Sequence, residues 1–216
     1  MNLDRTILID KPAHMTSFGV VARVRRRLTE AAGHKVKVGH TGTLDPFATG
    51  LLILLSGKMT KKSGEFLKFD KVYEAVVKLG ETSLTGDPEG EITAVSAEIP
   101  SENALRAVLD GLVGVQHQKP PIYSAIKIDG QRAYKLARKG KIPEIPARKI
   151  EIYSIKLLIY SYPFVKIRVH VSSGTYIRVL AEEVGARLKT GAYCAELRRT
   201  KVGGYDVKDA IRIDDI

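Results

Sequence analysis

GHTGTLDPFATGLLILL, residues 39–55, joins two unlike halves. The first twelve residues carry three glycines, a proline and three threonines around a single acid, Asp45. Such a segment fits neither a helix nor the interior of a sheet and predicts a polar loop. The last five, Leu51 to Leu55, are continuously apolar. At that length they predict a buried strand. A polar loop feeding a buried strand is where a rigid scaffold can hold a reactive side chain. Asp45 precedes Pro46, which biases its backbone toward an extended conformation. The residues alone leave two readings open. Asp45 caps the turn through nearby backbone N–H groups, or its carboxylate projects into a cleft.

Upstream, Thr6 to Asp10 (TILID) predicts a short buried strand stopped by Lys11-Pro12. Thr16-Ser17 then offers a helix cap, with Val20, Val21, Val24 and Leu28 at helical spacing. Arg23, Arg25, Arg26 and Arg27 crowd the rest of that helix, as a solvated face or as phosphate contacts. Downstream, Lys58 to Leu67 predicts a helix and Lys71 to Leu79 an alternating strand. After the turn Asp87-Pro88-Glu89-Gly90 a second strand follows, and the two suggest a hairpin. Ser101 starts a helix with Ala104, Leu105, Val108, Leu109 and Leu112 on one face. Residues 150–160 and 163–171 alternate like antiparallel strands around Ser161-Tyr162-Pro163. Thr175 to Lys189 predicts a helix, capped by Ser173 or Thr175, with Gly191 close behind it. Residues 196–200 lead into a final strand. Strands lie next to strands, so the class is α+β rather than a doubly wound sheet.

Composition narrows the function. Of 216 residues, 35 are Lys or Arg against 24 Asp or Glu, a net charge of +11. Such a surface attracts polyanions: nucleic acid first, an anionic membrane second. Lys and Arg recur through residues 116–149, with Tyr123 and Tyr134 interleaved. Lys119, Lys127, Arg132, Lys135, Arg138, Lys139, Lys141, Arg148 and Lys149 supply the charge. That mixture suits a segment lying on RNA, where Tyr stacks and Lys meets phosphate. Cys194 is the only cysteine, which rules out an internal disulfide. No Cys/His cluster has zinc spacing, and no GxxxxGK[ST] phosphate loop occurs. The amino terminus lacks the order of a signal peptide, and no apolar run can span a bilayer. No membrane association and a cytoplasmic location are expected.

Arg178 lies in SGTYIR (173–178), at the start of the predicted helix, where a positive charge opposes the helix dipole. It is either a surface arginine or the partner of a carboxylate or phosphate.

Read in order, these segments resemble the TruB family of pseudouridine synthases. Residues 39–52 resemble its catalytic loop, with the aspartate at Asp45. Lys11-Pro12, Asp70-Lys71-Val72-Tyr73, Ile122-Tyr123-Ser124-Ala125-Ile126-Lys127, the SGTYIR segment and Leu197-Arg198-Arg199 resemble its other motifs, in the family's order. The match runs from about Thr6 to Val207. It implies the pseudouridine synthase fold, a mixed and mostly antiparallel sheet flanked by helices. It implies one catalytic domain over 1–216, with an RNA-binding insertion at about 120–149. The implied reaction isomerises uridine-55 in the T arm of transfer RNA without cofactor or metal. Asp45 is then the nucleophile, Arg178 its ion-pair partner, and Tyr73 the residue against the target base. Tyr176 and Leu197 line the pocket, and His40 fills the space left by the flipped base. Lys11 and Lys61 serve phosphate contact or loop support. A monomer acting on tRNA without a protein partner is expected. The small carboxy-terminal RNA-binding domain usual in bacterial members has no counterpart before Ile216, so a compact or shortened member is expected. Within the family the alternative is a guide-RNA-dependent enzyme; outside it, an RNA-binding protein without turnover.

Overall fold

The computed structural model describes residues 3–124, 126–128, 130–137 and 144–215. In chain order the first elements are β1 (Thr6–Lys11), α1 (Ser17–Ala32), β2 (Val38–His40), β3 (Thr49–Ser56), α2 (Ser63–Leu67) and β4 (Lys71–Leu79). There follow β5 (Glu81–Ser83), β6 (Ile92–Ala94), α3 (Glu102–Asp110), β7 (Gly114–Gln118), β8 (Lys127–Ile128), β9 (Gln131–Arg132) and α4 (Ala133–Ala137). Next come β10 (Arg148–Ser161), β11 (Phe164–Val171), α5 (Ile177–Arg187), β12 (Ala192–Val202), β13 (Tyr205–Asp206) and β14 (Ile211–Arg212). Two compact units result: Met1–Glu74 with Leu197–Ile216, and Ala75–Glu196.

In the first unit the strand order is β14-β1-β3-β12, with β2 on β3 and β13 on β12. β1 and β2 pair antiparallel with β3, whereas β12 pairs parallel with it, Arg198 opposite Thr49 and Arg199 opposite Gly50. β3 is buried from Gly50 to Ser56, which explains its unbroken apolar run: a strand covered on both faces has no solvent side to alternate with. Leu51, Ile53 and Leu55 join Phe66 and Val202 in one cluster, with Met59, Phe69 and Tyr205 packed against it. Leu52 and Leu54 point to the opposite face and are fully buried. Each such side chain contributes about 1.5–3 kcal/mol. α1 follows its predicted face. Thr16 accepts from the Gly19 N–H at 2.9 Å, and Val20, Val21, Val24 and Leu28 are buried. The helix predicted over Lys58 to Leu67 is two pieces, a 3-10 helix over Gly57–Lys62 and then α2.

In the second unit the order is β4-β11-β10-β7, with β10 antiparallel to both neighbours described for it. Alternation makes one face of β11 the core, through Val165, Ile167, Val169 and Val171. β4 alternates the same way from Lys71 to Leu79. α3 begins where Ser101 caps it, the Oγ accepting from the Ala104 N–H, and buries Leu105 and Leu109. Ala104, predicted on that face, is exposed.

Two expectations are corrected. β6 pairs with β5 in a separate two-stranded sheet rather than with β4. The turn at 87–90 closes a tighter ribbon than the sequence pattern suggested, because β5 begins only two residues after β4 ends. The cap of α5 is Tyr176, with no side-chain cap bond. Thr175 instead donates to the Ser172 carbonyl at 3.0 Å. Arg138, Lys139 and Lys141 of the basic segment lie outside the described residues, as do the side chains of Lys127, Arg132, Tyr134 and Lys135.

Lys71 starts β4 with its side chain inside. Its ammonium donates to the carbonyls of Leu67, at 2.9 Å, and Phe69. Burial, and then the nearby Arg199 charge, lower its pKa to about 8, against a smaller opposing pull from Asp70. Between pH 8 and 10.5 the unfolded chain therefore holds a proton that the folded chain has released. Stability rises with pH across that window. Denaturant titrations at pH 8 and pH 10 should show this rise, at most about 3 kcal/mol, and Lys71→Met should abolish it.

Candidate active site

The loop that carries Asp45 is held from both sides. On its amino-terminal side Leu44 is buried, and its N–H and C=O both bond the Ser17 hydroxyl, each at 2.8 Å. On the other side the Pro46 carbonyl accepts from the His14 N–H at 2.8 Å and from Lys11 Nζ at 3.1 Å. Lys11 is fully buried and also donates to the carbonyls of Pro12 and Met15, each at 2.7 Å. Of the two roles expected for Lys11 the geometry is that of loop support. Phosphate contact would need an ammonium that reaches solvent.

Arg199, which sequence reasoning quoted only as part of a motif, is the third anchor. It is buried, and its guanidinium donates to the carbonyls of Leu51 at 2.8 Å, Gly42 at 3.1 Å and Thr43 at 3.4 Å. Gly50 lets the strands approach. Its φ is +100°, and a Cβ there would stand 2.3 Å from the Arg199 carbonyl oxygen. Between these anchors Asp45 is half-buried, and its carbonyl accepts from the Ala48 N–H at 3.2 Å. The turn is thus closed by backbone.

His40 ends β2, half-buried, with the Gly42 N–H at 3.4 Å from its Nδ1. Tyr73 is buried on β4 and Leu197 on β12. Lys61 is exposed on the 3-10 helix over Gly57–Lys62. Beside the loop strand, Arg198 grips Asp10 with two bonds, 3.0 and 2.7 Å.

The second unit holds Arg178 and Tyr176. Arg178 lies in the first turn of α5, and its unfavourable placement is answered by a carboxylate. Nη1 donates to Asp87 Oδ2 at 2.9 Å and to the Thr85 carbonyl at 2.7 Å, and Nη2 to the Tyr123 carbonyl at 2.9 Å. Both side chains of the ion pair are about 95 % buried. Asp87 is saturated on its other oxygen by the Thr85 hydroxyl, at 2.6 Å, and the Glu89 N–H, at 3.0 Å. Sequence reasoning read Asp87 only as a turn residue. The signal that could have found it was the misplaced charge of Arg178. Gly86 lies against Glu182, one turn along α5, and its φ of +72° is one that side-chain-bearing residues rarely adopt. Burial raises the pKa of the Glu182 carboxyl, Arg178 pulling it down and Asp87 pushing it up to lesser degrees.

Tyr176 is held by its backbone. Its N–H donates to Gln118 Oε1 at 2.7 Å, and its C=O accepts from Gln118 Nε2 at 3.0 Å. Its ring lies under the Arg148 guanidinium, 4.9 Å away. No group of three or more His, Cys, Asp or Glu that could hold a metal occurs among the described residues. No helix there is long and apolar enough to cross a membrane.

The mixed, mostly antiparallel sheet with its helices is a pseudouridine synthase fold. A solved Cbf5-Nop10-Gar1 complex superimposes with a TM-score of 0.73 at 30% identity, over 97% of this chain. This chain spans about half of that one, 52%. The tRNA pseudouridine synthase B of Opitutus terrae is 42% identical over 215 residues, 99% of this chain and 87% of its own. The enzyme of that name from Azoarcus sp. is 44% identical over 212 residues, 98% of this chain and 69% of its own. The model of the TruB family pseudouridylate synthase N-terminal domain matches residues 26–177. The chain belongs to the TruB family of pseudouridylate synthases, and it is an isomerase.

Removing one partner of a buried ion pair leaves the other charge uncompensated, at a cost of about 3–5 kcal/mol. Asp87→Ala should lower the thermal midpoint by about 10 °C, at 2–4 °C per kcal/mol for a chain of this size. Glu98→Ala, which removes an exposed side chain, should leave it within about 1 °C.

Proposed function

We propose that this enzyme isomerises uridine-55 in the T arm of tRNA to pseudouridine, with Asp45 as its nucleophile. The observation that carries the reading is the Asp45 loop, in which both flanking residues are fixed by buried groups while the aspartate stays half-exposed. The relatives named tRNA pseudouridine synthase B supply the substrate.

In the reaction the N1–C1′ bond of the uridine breaks, the uracil turns, a C5–C1′ bond forms, and C5 loses its proton. Asp45 acts at the sugar, by attack on C1′ or by removal of the C2′ proton. Both routes use the ionised carboxylate, and Arg178 orients it by an ion pair. Tyr73 packs against the base, and its hydroxyl serves the final removal of the C5 proton. Tyr176 and Leu197 hold the flipped nucleotide. Extrusion of a base costs a few kcal/mol, part of which His40 offsets by filling the vacated stack. Lys11 supports the loop, and Lys61 meets phosphate. The basic segment at about 120–149 lies on the RNA, read mainly through the shape of the arm and its unpaired loop. No redox, nucleotide or metal cofactor takes part, and the enzyme acts as a monomer in the cytoplasm.

Tritium release from C5-labelled uridine in an unmodified tRNA transcript tests the reading. Release by the wild type and none by Asp45→Asn is expected. Equal release by both would remove Asp45 from the chemistry. Tight binding without release by either would leave an RNA-binding protein.

A further inference from the structure

α1 starts at the active-site loop, since Ser17 in its first turn bonds both backbone groups of Leu44. The next residue, Phe18, is 66% exposed. An aromatic ring left in water beside a catalytic loop is unusual, because a ring of this size normally contributes most when buried. Seven residues on, and so on the same side of the helix, Arg25 sets its guanidinium 5.9 Å from the centre of that ring. The pair spans about 10 Å along the axis, leading away from Asp45.

Two other arginines of the helix are differently disposed. Arg23 is paired with Asp214 at 2.7 Å, and Arg26 approaches Glu30 at 3.9 Å. Arg25 meets no carboxylate among the described residues. Ring and unneutralised guanidinium together are what single-stranded nucleic acid recognises: a face on which a base stacks and a charge for its phosphate. The chain's charge of +11 fits a polyanion there.

We propose that Phe18 and Arg25 form a stacking and phosphate-binding ledge for unpaired nucleotides of the RNA substrate that flank the target uridine. The proposal rests on the reading that RNA is bound at Asp45. The ring stacks on one base, and the guanidinium meets a phosphate beyond it. Phe18 is exposed and Arg25 is partly so, and neither belongs to the core, so their replacement should leave the fold intact.

The test is binding of a fluorescent T-arm stem-loop transcript, as Kd against salt between about 50 and 200 mM, together with KM and kcat from tritium release. Phe18→Ala should weaken binding at least about fivefold with an unchanged salt slope, and Phe18→Tyr should restore it. Arg25→Ala should weaken binding and reduce the log–log slope by about 0.7, the value for one phosphate of a single strand. Both effects should fall on KM. Arg106→Ala, which removes the same charge from α3 in the other unit, should change neither Kd nor slope. Unchanged binding in the Phe18 and Arg25 variants would overturn the ledge, and so would an equal loss of slope in Arg106→Ala. A wild type that binds through Phe18 and Arg25 yet releases no tritium would keep the ledge and overturn the proposed reaction.

Discussion

The ammonium of Lys11 is fully buried, and its three protons meet the carbonyls of Pro12, Met15 and Pro46. Burying a cation without such partners would cost several kcal/mol. With them, one side chain fastens three stretches of backbone: the end of β1, the turn after it, and the residue following Asp45. A methyl group in the same place would leave three carbonyls without donors, each carrying its own desolvation penalty. Ser17 does the same on a smaller scale for Leu44, and Arg199 for residues 42, 43 and 51. An irregular loop has no ladder to satisfy its carbonyls, so it must find donors elsewhere or stay in water. Here the donors come from side chains of β1, α1 and β12, and the loop inherits the rigidity of those elements.

The second unit uses the same device with a guanidinium. Arg178 collects the carbonyls of Thr85 and Tyr123 and the carboxylate of Asp87. A guanidinium offers five donors in a fixed plane, so one arginine orients two loops as well as the helix that carries it. Gln118 plays the neutral counterpart at Tyr176, matching one N–H and one C=O with its amide. Residues of the candidate site therefore stand on backbone that is tied by buried polar side chains rather than by apolar packing alone. Packing tolerates small slips, whereas a bond that needs its partner within about 3 Å does not.

What the sequence made legible was whatever is local. Periodicity placed β1, β3, β4, β10, β11, α1 and α3, because burial of one face or both leaves its mark on consecutive residues. The cap at Thr16 and that at Ser101 could be read because they act over three residues. Composition brought out the loop of Asp45, and the family resemblance gave the aspartate its role. Partners distant along the chain stayed hidden. Arg178 announced that it needed an anion, but Asp87, 91 positions away, was disguised as an ordinary turn. Lys71 was read only as the head of a strand, and the carbonyls of the backbone turn before it show why its side chain is inside. Arg199 sits beside Arg198 in the sequence, yet one is buried against carbonyls and the other half-exposed on Asp10. Strand alternation separates them; it could be applied only once β12 was known to have a buried face.

These buried cations also bear on the net charge. Lys11, Lys71, Arg178 and Arg199 are all buried, so the count of 35 basic residues overstates the exposed basic surface. Their charge nevertheless persists where the partners are neutral. Arg199 is bound by carbonyls, which hold its protons without cancelling its charge, and it lies under the Asp45 loop together with Lys11. Low-dielectric surroundings let such charges act over a longer range than exposed ones screened by salt. The loop of Asp45 is therefore fastened by two buried cations whose charges its carbonyls do not cancel. An anionic backbone arriving there meets attraction from groups it never touches.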